Sequence, residues 1–236
     1  MIRQTWSAIA PGLWQLERLD DGECALRTVA VSLGAGHVVG GPTLALVIGA
    51  MAGLAPEVRS AVEVAGAVGW LLAPNQYHHL GLPAWTAAFP DARAVASEPA
   101  RERLRRRSPV ALGSLDPLRA ALPPHLTLVE PPGTRNGEVW LVARTATGTV
   151  WVVCDALFDF AKTPRSVNGV IGWLAGVSPG LRVGPFKWLG LRDRPAYTSW
   201  LRERLTVDPP DLVVPAHGRP IDDIPAIRRV IDATFG

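Results

Sequence analysis

The sequence predicts a single α/β (α+β) domain built around two packed sheets, and three observations predict it. The chain has 236 residues, an ordinary length for one domain of two sheets. Its apolar fraction of 48% against 19% charged residues supplies a substantial core. Short strand-like runs bounded by turn signals occur in both halves of the chain, with helical spacings between and after them.

The first half reads as strands at Leu13 to Leu16, Leu26 to Leu33 and Thr43 to Ile48, separated by Asp-Gly and Gly-rich turns. No charge occurs from Val29 to Pro56, a length that raises the question of a membrane span. Gly34, Gly36, Gly40, Gly41 and Pro42 cut that run into strand-length pieces, so buried strands are expected and no transmembrane segment. Pro56 opens a helix in which Val58, Ala61, Val62 and Ala65 recur at helical spacing, and Val68 to Ala73 follows as a strand. Pro74 ends that strand, and the polar sequence Asn75-Gln76-Tyr77-His78-His79 precedes a helical segment from Leu82 to Phe89. A strand at Ala94 to Ala96 and a charged helix from Glu98 to Arg107 come next. Strands at Glu138 to Arg144 and Thr149 to Cys154 flank the Thr147-Gly148 turn, and Asp155 lies just past the second. Between about residues 156 and 195, Gly, Pro, Trp and Phe mix without a clean period, as expected of a cap or lid inserted into one domain spanning 1–236. A helix from Tyr197 to Leu205, a strand from Leu212 to Val214 and a helix from about Asp222 to Ala233 complete the chain.

Charge and cysteine content restrict the functional classes. A formal net charge of +3 gives no general reason to expect nucleic acid. The run Arg101 to Arg107 lacks interleaved aromatic residues and reads as a solvated helix face. Cys24 and Cys154 are far apart and in no Cys-x-x-Cys spacing, which fits a reducing cytoplasm and suggests neither a disulfide framework nor a thiolate cage. Met1 to Leu16 has no sustained apolar stretch of the secretory kind.

His78, His79, Asp155 and His217 all fall at the C-terminal ends of expected strands, where layered folds place their sites. Imidazole and carboxylate groups without cysteine suit zinc or iron. Neighbouring histidines point to opposite sides of a strand, so both serve one ion only from a turn or a helix start, a condition that Pro74 and the polar loop supply. Asp159 is the alternative carboxylate, and Asp155 is preferred because it ends the apolar strand. His37 and His125 match no motif.

The ordered set, a His-bearing loop, a Gly-Glu-Val strand, a strand ending in Asp, and Val-Val-Pro-Ala-His-Gly before a terminal helix, resembles the metallo-β-lactamase-like superfamily. More narrowly, Ala73 to Leu80 together with Pro215-Ala216-His217-Gly218 is similar to a divergent branch of unknown function with an Asn-x-x-His-His motif. The resemblance runs from Trp14 to the terminal helix and implies a four-layer αββα sandwich. The superfamily's His-x-His-x-Asp-His loop reads Pro74, Gln76, His78 and His79 here, and a further histidine of a Pro-Gly-His turn reads Thr134. The resemblance therefore implies loss of the first of two metal positions. It leaves one zinc or iron ion on His78, His79, Asp155 and His217, with His78 in place of an Asp and open to a role as base.

These residues predict a metal-dependent hydrolase of a small-molecule substrate; the alternative is a binding protein that keeps the fold while its metal chemistry has decayed. Cys154 is expected to pack as a small apolar residue. Trp173, Phe186, Trp188 and Trp200 are expected in core or lid packing, and an apolar substrate or a membrane surface is what they would otherwise contact.

Overall fold

The computed structural model describes residues 6–34, 44–49, 62 and 66–236. The helix expected from Pro56, apart from Val62, and the histidine at position 37 lie outside them. Val62 is helical and buried.

One sheet of six strands runs in the order β1 (Ser7–Ala10), β2 (Leu13–Asp20), β3 (Glu23–Ser32), β4 (Leu44–Ile48), β5 (Ala67–Leu72) and β6 (Arg93–Val95). Neighbours are antiparallel from β1 to β4 and parallel from β4 to β6. A second sheet has the order β12 (Leu212–Val214), β9 (Gly148–Val152), β8 (Trp140–Thr145), β7 (Leu126–Val129), with β12 parallel to β9 and the rest antiparallel. Residue alternation decides what each face meets, because successive strand side chains point to opposite sides. Val29 and Val31 of β3, Leu141 and Ala143 of β8, Val150 and Val152 of β9, and Val214 of β12 form the core between the sheets. Their neighbours Trp140, Val142, Trp151 and Val213 face outward onto Tyr197, Leu201 and Leu205 of α5 (Arg194–Val207) and Ile227 and Ile231 of α6 (Ile224–Phe235). On the far side, Ala30, Val47 and Leu71 meet Val62, Leu82 and Trp85 of α1 (Leu82–Ala88), and Ala100 and Leu104 of α2 (Glu98–Leu104). The layers are helix, sheet, sheet, helix, as the resemblance implies.

The charged helix is shorter than its spacing suggested and ends at Leu104, while Arg103 and Arg105 to Arg107 are exposed. Sequence reading did not separate β1, α3 (Asp116–Ala121) or β7 from their surroundings. The stretch 156–195 is more regular than expected. It contains a hairpin of β10 (Phe158–Phe160) and β11 (Gly180–Arg182), helix α4 (Val167–Leu174) and a π-helical turn at Phe186–Gly190. Trp200 packs on Trp140 and Tyr197, as expected. Trp173 and Trp188 do not pack inward: they are 55% and 65% exposed.

Candidate metal site

Sheet topology brings the site together. Because β12 and β9 are parallel, with Val214 paired to Val152, their C-terminal ends lie side by side and deliver His217 and Asp155 to one rim. The loop after β5 of the other sheet delivers His78 to the same rim. That loop is tied to the segment before β8, since Val139 N donates to Pro74 O at 2.8 Å and Gln76 N to Asn136 O at 3.1 Å.

The ligand-capable atoms of His78, Asp155 and His217 all lie within 4.8 Å of one another. His78 Nε2 is 3.1 Å and His217 Nε2 is 3.3 Å from Asp155 Oδ1, and the two Nε2 atoms are 3.4 Å apart. His217 Nδ1 lies 2.5 Å from the carbonyl of Ala25, which can only accept. Nδ1 therefore carries hydrogen, and the neutral ring turns its Nε2 lone pair toward a carboxylate oxygen and a second imidazole. A hydrogen on His78 Nε2, donated toward Asp155 Oδ1, or a metal ion among the three groups would relieve this meeting of acceptors. Two imidazoles and a carboxylate match the donor preferences of zinc and ferrous iron, and a ligating histidine whose other nitrogen donates to a carbonyl has the usual supporting hydrogen bond.

Neighbouring residues hold each group in place. Asn75 Nδ2 donates to Asp155 Oδ2 at 2.7 Å, while its Oδ1 accepts from the backbone of Tyr77 and His78 and so shapes the turn that aims His78. Buried Arg27 donates to the carbonyls of Pro215 and Gly218 and pairs with Glu17 at 2.9 Å, which clamps the His217 turn onto β3. Gly218 is required in that turn. Its φ is +84°, and a Cβ there would stand 2.2 Å from the Asp159 carbonyl oxygen. Phe158 stacks on His217 with ring centres 5.5 Å apart.

Behind Asp155, fully buried Glu138 accepts from five N–H groups, those of Asn136 Nδ2, Trp140 Nε1 and the backbone of Cys154, Asp155 and Ala156. Burial and the Asp155 charge push its carboxyl up to about 7 although these donors pull it down. Burial acts to raise Asp155, yet His78 and His217 hold it well below the usual carboxylate range. Burial pulls His78 down, but Asp155 outweighs it and leaves the ring above its ordinary value.

His79 lies outside the converging group. It lines the same cavity, and burial lowers its pKa. The structure thus unites three of the four expected ligands, because the Asn75 turn aims His78 inward and sets its neighbour in the wall. Asp159 pairs in two-pronged fashion with Arg219 and is not directed at the histidines. Where the resemblance places a first metal position, the chain has Pro74, Gln76 and Thr134, and the His, Cys, Asp and Glu residues among those described gather only as His78, Asp155 and His217. Cys154 is buried beside Asn75 Nδ2, and His125, which precedes β7, is not part of the converging group. Sequence reading missed the positioning roles of Asn75, Arg27 and Glu138. A signal existed for Glu138, a single acid opening the apolar run Val139 to Ala143.

The cavity over the site has a volume of about 450 Å³. Its wall combines Leu26, Tyr77 and Leu80 with Phe158, Val177, Pro185 and Leu189 from the 156–195 stretch, and Arg18 stands at its edge.

No protein-family model matches the chain, and no curated protein matches it. Solved structures do. A metallo-β-lactamase from Pontibacter korlensis is similar with a TM-score of 0.62 and 12% identity, over 98% of this chain and 99% of that one. A Pseudomonas aeruginosa metallo-β-lactamase in its mono-zinc form aligns with a TM-score of 0.57 and 11% identity, covering 98% and 92%. The metal-soaked Flv1 flavodiiron core from Synechocystis aligns with a TM-score of 0.59 and 11% identity, over 99% of this chain and 60% of that one. The chain therefore has the metallo-β-lactamase-like fold, with a reduced His-Asp-His site at the rim where that fold's two sheets meet.

Proposed function

We propose that the protein is a metal-dependent hydrolase of a small apolar substrate, with one zinc or iron ion held by His78, Asp155 and His217. The observation that carries this reading is the 3.3 Å approach of His217 Nε2 to Asp155 Oδ1 while Nδ1 is committed to Ala25. Such an ion, when bound, polarises a carbonyl or phosphoryl oxygen and lowers the pKa of water to about 7. The chain's residues do the rest. Asn75 and the Ala25 carbonyl fix ligand orientation. Leu26, Phe158, Val177 and Leu189 give the substrate an apolar wall and exclude water. His78 Nε2 is directed at Asp155 and His217, so in this reading His78 serves as ligand rather than as base. His79, a neutral imidazole in the same wall, is the group placed to accept a proton.

Elemental analysis of protein purified without a histidine tag tests the site. About one zinc or iron per chain is expected, and Asp155→Ala or His217→Ala should cut affinity by at least the 10–100-fold typical of losing a supporting residue. The metal-loaded protein should cleave chromogenic esters or phosphodiesters, and the Asp155→Ala variant should not. Failure to take up micromolar zinc or ferrous iron would favour a metal-free binding protein.

A further inference from the structure

We infer that α4 and the π-helical turn after it form a docking surface for an anionic lipid bilayer. Helix α4 is turned inside out. Its residues Val167, Val170, Ile171 and Leu174 share one face at i, i+3, i+4 and i+7, the stripe that normally packs on a core, yet they are 78%, 48%, 57% and 73% exposed. The face toward the protein is glycine. Gly169 is buried so close to Pro164 that a Cβ would stand 2.1 Å from its carbonyl oxygen, and Gly172 lies against Val177. The fold therefore spends its smallest residues inward and its largest apolar ones outward. Trp173 of the same helix, to one side of that stripe, and Trp188 and Leu189 of the π-helical turn are further exposed apolar side chains of this segment. Contiguous exposed apolar surface marks an interaction site.

Charge selects the occupant. Residues 161–192 contain Lys162, Arg165, Arg182, Lys187 and Arg192 and no Asp or Glu. Acids from the β2–β3 turn meet only the start of this segment: Asp20 accepts from the Ser166 hydroxyl, Asp21 pairs with Lys162 at 3.3 Å beside Arg165, and Glu23 accepts from Ala161 N. Arg182, Lys187 and Arg192 have no ion pair among the described residues, and Lys187 lies 4.6 Å over the Trp188 ring. Tryptophan with lysine and arginine beside an apolar helix face is the composition that settles at a lipid headgroup boundary. A second copy of this chain fits poorly, since a two-fold contact would set the same cations against each other. Leu189 and Val177 join this surface to the cavity wall, so docking would turn the cavity mouth toward the bilayer. The inference does not depend on a bound metal.

Sedimentation of the full chain with phosphatidylcholine vesicles, with and without phosphatidylglycerol, tests it. Binding to the anionic vesicles is expected, weakened by salt and unchanged by chelator, which separates this result from the fate of the metal site. Arg182→Gln with Lys187→Gln should lower partitioning about 30-fold, at roughly fivefold per basic residue near an anionic surface. Ile171→Ser with Leu174→Ser, both on an exposed face, should reduce binding to background while the circular dichroism stays unchanged. No binding to anionic vesicles at low salt, or equal binding by the serine pair, would overturn the inference. So would a dimer that the serine pair converts to monomer without any vesicle binding.

Discussion

The protonation pattern around His217 is set by a single backbone carbonyl, and Asn75 and Arg27 do similar work for the turns that carry His78 and His217. None of the three is a ligand, yet each removes freedom that a ligand would otherwise lose on binding a metal. Cys24 shows the opposite use of burial. Its thiol is pushed up to about 11, chiefly because a thiolate would lose its solvation there. The neutral thiol persists wherever pH is below that value, and only the thiolate is nucleophilic. At pH 8 about one Cys24 in a thousand would be ionised. A chromogenic disulfide reagent should therefore leave native Cys24 untouched at that pH and label it once guanidinium exposes it. Rapid labelling of the native protein at pH 8 would contradict the burial argument.

At the scale of elements, β9 ends at Val152, and the segment from there to Asp155 is held by Glu138 from behind as well as by backbone hydrogen bonds to Val214 and Ala216. All five partners of Glu138 are donors, so a neutral amide cannot replace it without setting its NH₂ against at least one N–H. Above about pH 8, where the Glu138 carboxyl is mostly ionised, Glu138→Gln should cost roughly 2 kcal/mol or more, the penalty for leaving a buried donor unmatched at a formerly charged acceptor. The expected signature in urea is a lower unfolding midpoint with an unchanged slope. An unchanged midpoint would mean that the five hydrogen bonds carry no net stability. Helix α4 departs from the rule that apolar stripes face inward because the Pro164 backbone comes too close to Gly169 for any larger side chain, and Val177 lies tight against Gly172 on the same face.

Across the whole molecule, the three converging side chains belong to different halves. His78 follows β5 of the six-stranded sheet, whereas Asp155 and His217 follow β9 and β12 of the four-stranded one. An ion held by all three would tie the two sheets together at one rim and would stabilise the native state in which they converge. At a free concentration 100 times its Kd it adds about 2.7 kcal/mol. For a domain of this size that is a rise of roughly 5–10 °C in Tm. Scanning calorimetry of chelated and zinc-loaded protein should show this difference, and Asp155→Ala should abolish it. Equal Tm values in the loaded and chelated states would argue against a metal bridging the sheets.

The sequence by itself determined the layered α/β class and most of its strands, because β3, β5, β8, β9 and β12 carry apolar alternation or short apolar runs that end at Gly, Pro or Asp. It also determined the residues from which a site can be made, since His78, His79, Asp155 and His217 interrupt or end those runs. Tertiary structure decided which of them meet. Convergence depends on the parallel pairing of β9 with β12 and on the Asn75 turn, contacts between residues some 60 to 140 positions apart that no local spacing encodes. It decided the direction of α4 as well. A stripe at helical period says which residues share a face, but only the close approach of Pro164 and Val177 to two glycines says which face is inside.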